Sequence, residues 1–188
     1  MITTDDDALA ERLRRLRSHG MTSVTWDRHK GHAWSYDVVD LGYNYRLDEI
    51  RSALGRVQLS KLDSYNSHRR QLTILYNEWL QELVPAIKVP FQNHSGMSAC
   101  HLLPVLLPLE IDRKKFMDSM KERGIQTSIH YPPIHHFEAY RSNGQPTISL
   151  PATEVIAARE LTLPLYPAMS SDDIELVVRS VQSSLQEQ

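Results

Sequence analysis

Apolar positions fall into distinct rhythms along the chain. Leu9, Leu13 and Leu16 recur at three- and four-residue intervals in "ITTDDDALAERLRRLRSHG", predicting an amphipathic helix entered through Thr4 and three aspartates and stopped at Gly20. A short β-like piece, Met1 to Thr3, precedes it. From Met21 to Leu41 no helical period survives, and Trp26, Trp34 and Tyr36 stand in a polar loop that needs another surface to lie on. Leu47, Ile50, Leu54, Val57, Tyr65, Leu72, Tyr76, Trp79 and Leu83 then restore the helical spacing, predicting one very long helix, or two with a bend near Ser60 to Ser64. Gly55 inside it suggests a second backbone passing close by. After Pro85 the texture changes. "AIKVPF", "CHLLPVLLPLE" and "IQTSIHY" predict strands, and "DRKKFMDSMKERG" predicts a helix ending at Gly124. Pro104 and Pro108 confine their strand to an edge or force irregular pairing. A short helix from Thr153 towards Leu161 and a last helix carrying Ile174, Val177, Val178 and Val181 on one face complete the chain.

Bulk properties narrow the class. With 188 residues, 41% hydrophobic and 23% charged, the chain can bury a core without staples and is not a disordered segment. A formal charge of -2 gives no reason to expect nucleic acid or an anionic membrane as partner. The basic "ERLRRLR" stretch follows an acidic one, in the order that complements a helix dipole. One cysteine, Cys100, forms no internal disulfide and suits a reducing compartment, pointing to the cytoplasm. No segment approaches the ~18 uninterrupted apolar residues of a membrane span, and the first residues do not form a signal peptide.

The sequence holds no glycine-rich phosphate loop, no CxxC pair and no HExxH. Three of its nine histidines, His130, His135 and His136, cluster in "HYPPIHHFEAY", but Pro132 and Pro133 make that segment an irregular loop, so no metal site is expected. His130, at the end of a predicted strand, is the one best placed to face a pocket. The other chemical signal is "DLGYNYRLDEI". Gly42 permits a tight turn, and Asn44 and Arg46 bring an amide and a guanidinium to the start of the long helix, where backbone donors favour an anion such as phosphate. The alternative is local: Asn44 satisfies its own loop, and Arg46 pairs with Asp48 or Glu49.

Four ordered blocks, "LRSHGM", "LGYNYRLDEIRSALGRVQLSKLD", "GIQTSIHYPPIH" and "LPLYPAMSSDDI", resemble the C-terminal part of the DegT/DnrJ/StrS family of sugar aminotransferases, over essentially the whole chain. The resemblance implies an α/β, fold-type I enzyme, aspartate-aminotransferase-like, that uses pyridoxal 5'-phosphate to aminate a keto group of a nucleotide-linked sugar, with glutamate as donor. It implies a homodimer with active sites at the subunit boundary. By position, Asn44 and Arg46 would hold the cofactor phosphate in the neighbouring subunit, and Tyr43, His130 and Tyr131 would lie on the substrate side. Residues 1–46 would be a remnant of the large cofactor domain with its trans loop, 47–83 a linking helix, and 84–188 a small α+β domain.

The sequence departs from the family at the cofactor's anchor. None of Lys30, Lys61, Lys88, Lys114, Lys115 or Lys121 lies in the family's lysine context, and "MITTDDDAL" resembles the strand that follows that lysine. No catalytic residue is therefore assigned, and transamination by this chain alone is not expected, because the reaction needs an amine to bind the cofactor and shuttle a proton. The alternative to an aminotransferase portion is a non-enzymatic interaction protein, or a half-subunit pairing with a full-length homologue.

Overall fold

The computed structural model describes residues 2–22, 36–140 and 148–187. The chain divides into two compact units, Met1–Ser60 and Lys61–Gln188. Trp26, Trp34 and Lys30 lie outside the described residues, as does Met1.

In the first unit, α1 covers Asp7–Leu16. Asp6 caps it by accepting the Leu9 N–H, Asp7 stands at its positive end, and Arg14 and Arg15 at its negative end. Ile2 and Thr3 form no strand. Beyond α1 the chain doubles against residues 37–45 through isolated antiparallel bridges, Ser18 with Asn44 and Met21 with Val38. Two glycines make this crossing possible. A Cβ on Gly20, which holds φ +70, would lie 1.9 Å from the Asp40 carbonyl oxygen, and one on Gly42 would lie 2.0 Å from the Gly20 nitrogen. Gly42 therefore serves close backbone approach rather than the tight turn its sequence position suggests.

The predicted long helix is a single element, α2, spanning Glu49–Leu83, which at 1.5 Å per residue is roughly 50 Å long. Asp48 starts it by accepting the Arg51 N–H at 2.8 Å. A Cβ on Gly55 would meet nothing within 4 Å, so no backbone of this chain passes there among the described residues. The boundary between the two units falls within α2, and the helix changes character along its length. Ile50, Leu54 and Val57 are 83%, 61% and 50% exposed, whereas Leu72, Tyr76 and Leu80 are buried.

The second unit holds the core. Two strands, β1 (Leu103–Leu106) and β2 (Glu160–Leu163), pair antiparallel with Leu103 opposite Leu163. Lys88 bridges to Leu106 on the outer side of β1, and Ser128 bridges to Thr162 on the outer side of β2. "AIKVPF" and "IQTSIHY" thus contribute single rungs rather than strands. The first has a plain cause. Continuing the Lys88–Leu106 register sets Pro90 opposite Pro104, and neither has an N–H to give. Pro104 is tolerated in β1 because its nitrogen faces away from β2.

Helices α3 (Arg113–Glu122) and α5 (Ser171–Gln186) lie where the sequence predicts them. Asp112 caps α3, Gly124 follows it at φ +77, and Ser170 with Asp173 forms a capping box on α5. Phe116 and Met120 from α3 join Ile174, Val177, Val178 and Val181 from α5 and Leu72, Tyr76 and Leu80 from α2 in one apolar cluster with the strands. The Tyr76 hydroxyl, in that core, donates to the Pro164 carbonyl at 2.9 Å. Helix α4 (Pro151–Arg159) stops before Glu160, and the residues after it form β2, where the sequence pattern predicts helix towards Leu161. All four β2 residues are buried, so period-two alternation, the usual strand signal, is missing there.

Candidate functional site

The polar turn of the first unit is held by its backbone and exposes its side chains. The Tyr43 N–H donates to Leu16, the His19 N–H to Tyr43 at 2.9 Å, and the Tyr45 N–H to Arg17 at 3.0 Å. With those donors and acceptors satisfied, alternate side chains project outward. Tyr43 and Tyr45 stack with centroids 4.9 Å apart and planes at 6°, forming one wall of a cleft of about 830 Å³ that Ile2, Leu13, Leu16 and Arg17 also line. Asn44 lies between the tyrosines in sequence, is exposed, and makes no side-chain hydrogen bond among the described residues. Arg46 is exposed and donates from Nη2 to Ser18 Oγ at 2.8 Å. Neither local alternative is what forms. Asp48 engages Arg51 instead of Arg46, and Asn44 does not tie down its own loop.

In the second unit His130 and Tyr131 follow the Ser128 bridge. The His130 N–H donates to Glu160 Oε2 at 2.9 Å, and its Nδ1 lies 2.8 Å from Thr162 Oγ1. Thr162 in turn donates to Glu160 Oε1 at 2.8 Å. Tyr131 is 72% exposed and meets the His130 ring edge-on at 4.9 Å. His130 is thereby fixed from behind while its neighbour faces outward.

The three clustered histidines do not converge. His135 Nε2 is 3.1 Å and His136 Nε2 3.8 Å from Glu154 Oε1, apart from the partners of His130. Their ligating atoms and the Glu154 carboxylate lie within 4.8 Å of one another. Glu154 Oε1 is already engaged, however, accepting the Leu150 N–H at 3.0 Å and so closing the first turn of α4 (Pro151–Arg159), where Leu150 has no side-chain cap to offer. That hydrogen bond, with His135 second, holds the Glu154 carboxyl below its ordinary range.

Sequence reasoning names Tyr43, Asn44, Arg46, His130 and Tyr131 but misses Ser18, Glu160 and Thr162. Ser18 sits in the "LRSHGM" block, yet only the chain crossing makes it a partner of Arg46. Glu160 and Thr162 alternate along β2, a pattern hidden once the segment is taken as helix.

The small antiparallel sheet backed by helices, preceded by one long helix and a polar turn, defines the class: the sequence model of the DegT/DnrJ/EryC1/StrS aminotransferase family matches residues 1–182, and the chain belongs to that family. It is 33% identical over 192 residues to the uncharacterized protein MJ1066 of Methanocaldococcus jannaschii, covering 100% of this chain and 50% of that one. It is also 33% identical to the spore coat polysaccharide biosynthesis protein SpsC of Bacillus subtilis, covering 97% of this chain and 48% of SpsC. Among solved structures, Helicobacter pylori PseC, an aminotransferase of pseudoaminic acid biosynthesis, superposes with TM-score 0.87 at 26% identity, over 98% of this chain and 48% of PseC. DesV of S. venezuelae gives 0.78 at 32% identity, over 96% and 45%. The chain thus spans about half the length of the curated relatives it matches, and its fold is the corresponding portion of a fold-type I aminotransferase. Among the described residues, no helix is long and apolar enough to cross a membrane.

Proposed function

We propose that this chain is the carboxyl-terminal portion of a cytoplasmic, pyridoxal 5'-phosphate-dependent aminotransferase that converts a keto group of a nucleotide-linked sugar to an amine, with glutamate as donor. The match to an aminotransferase family along residues 1–182 is what supports this most. The residues present fit one end of the cofactor. Its phosphate calls for cationic and neutral donors; the Asn44 carboxamide, which makes no hydrogen bond among the described residues, lies two positions before Arg46, whose guanidinium is steadied by Ser18. They do not fit the covalent end, since none of the six lysines has the family's context.

When bound, pyridoxal phosphate supplies the electron sink that lets an amino group move to a keto carbon. This chain's contribution is positional. Asn44 and Arg46 hold the phosphate of a neighbouring subunit in a homodimer or a pairing with a homologous chain, while Tyr43, His130 and Tyr131 face the sugar. In this organisation residues 1–46, 47–83 and 84–188 are the cofactor-domain remnant, the linking helix and the small domain. A second reading, a non-enzymatic chain that pairs with a full-length homologue, draws on the exposed Ile50, Leu54 and Val57 face of α2.

The test is co-purification with a chain carrying the amino-terminal half of a family member, followed by absorbance of retained pyridoxal phosphate. Asn44→Ala is expected to lower retention about tenfold, roughly 1.4 kcal/mol. Unchanged retention removes Asn44 from the phosphate site. Borohydride trapping of the cofactor on any of this chain's own lysines overturns the missing anchor.

A further inference from the structure

We propose that Glu160 and Thr162 are positioning residues that fix the His130 imidazole with its proton on Nδ1, so that Nε2 is presented as a hydrogen-bond acceptor for a hydroxyl of the ligand. The hydroxyl assignment rests on the sugar reading above; the proton's place on the ring does not.

Strand register brings the three together. Ser128 is bridged to Thr162, so two residues further along one segment and two back along the other, His130 stands opposite Glu160. Glu160 and Thr162 are buried, at 7% and 5% exposure, and each polar atom has a defined use. The backbone N–H of His130 can only donate, and it takes Glu160 Oε2. Thr162 has one hydroxyl proton and spends it on Glu160 Oε1. What the threonine oxygen can still offer at 2.8 Å from His130 Nδ1 is a lone pair, so Nδ1 must be the donor. Because a hydrogen bond at one imidazole nitrogen decides the state of the other, the neutral ring carries its free lone pair on Nε2. That atom makes no hydrogen bond to a described residue. The groups that can meet it are donors, and hydroxyls are the donors a sugar supplies in number.

The relay has a direction that one isosteric change reverses. In Glu160→Gln, the His130 backbone N–H still requires an oxygen, which turns the new amide nitrogen towards Thr162. The threonine oxygen then accepts from the amide and passes its own proton towards Nδ1, moving the ring proton to Nε2.

Long-range 1H–15N correlation spectra of the histidine rings in the 188-residue chain, recorded at about pH 8 where imidazole is neutral, read this directly. The His130 signals are identified by their loss in His130→Asn. The native chain and Thr162→Ser are expected to show Nδ1–H, Glu160→Gln to show Nε2–H, and Thr162→Val to lose the fixed Nδ1–H state. A native His130 protonated on Nε2, or a Nδ1–H tautomer unmoved by both Glu160→Gln and Thr162→Val, overturns the proposal. The readout needs neither cofactor nor sugar, so such a result leaves the aminotransferase reading standing. A correct tautomer whose Nε2 shift is unmoved by saturating UDP-glucose in the co-purified assembly overturns the hydroxyl assignment instead.

Discussion

Arg46 Nη2 donates to Ser18 Oγ at 2.8 Å across 28 positions of sequence, and Ser18 is only 4% exposed. A flexible cation is thereby tethered to the backbone crossing that carries Asn44. Ser18→Ala should leave the charge in place but free its geometry. A loss of about 1 kcal/mol, or five- to tenfold, is expected in phosphate retention by the co-purified assembly, with Arg46→Lys no better because the planar fork is gone. Binding of pyridoxal phosphate at graded concentrations measures both.

Gly42 has no room for a side chain. Since a Cβ there would lie 2.0 Å from the Gly20 nitrogen and 2.4 Å from the His19 carbonyl carbon, Gly42→Ala must push the crossing backbones away from each other. We expect about 1–3 kcal/mol of local destabilisation. Faster amide exchange at His19 and Tyr43 should report it, with the amides of α3 and α5 unchanged.

Tyr76 is fully buried, and burial pushes its hydroxyl well above the ordinary tyrosine range, reinforced by Tyr166 and Asp173. Tyr76→Phe strands the Pro164 carbonyl that it serves and is expected to cost about 1–3 kcal/mol. Leu80→Ala, at 1% exposure, should cost about 2–5 kcal/mol. Urea unfolding midpoints followed by circular dichroism rank the two.

Acid should loosen the second unit before neutral or alkaline conditions do. Glu154 is held below its ordinary value by the Leu150 N–H and then His135, Asp173 by the Ser170 N–H and hydroxyl, and Glu187 by Arg123 and then Ser119. A carboxylate with a depressed folded pKa favours the fold above its unfolded value and ceases to as pH falls through the folded one. Stability should therefore be flat near neutrality and fall below about pH 4.5, the ordinary glutamate value. Asp173→Asn should lower stability at pH 7 and make the acid fall shallower, as thermal unfolding across pH would show.

On the α2 face bearing Leu54, Ile50, Leu54 and Val57 are 83%, 61% and 50% exposed. Leu54→Glu should change the chain's own stability by less than about 0.5 kcal/mol while reducing association with the amino-terminal half of a family member. Size-exclusion chromatography of the mixture separates those two effects. A stability loss of several kcal/mol would mean that this face is covered by the chain itself.

Much of this is legible in the sequence. Period, caps and stop signals fix α1, α2, α3 and α5, because a helix closes its hydrogen bonds locally and the signals lie within the segment itself. The four ordered blocks are enough to identify the family, and the polar residues of "GYNYR" mark one candidate site. Tertiary structure decided the rest, because a strand's partners lie elsewhere in the chain. β2 is buried on both faces and shows no alternation. Two facing prolines end the Lys88 pairing after one rung. Ser18 and Glu160 become partners of Arg46 and His130 only when segments 28 and 30 positions apart are brought together. The sequence therefore determined which groups could do chemistry. Long-range backbone register decided which of them are held in place and which atoms they leave free.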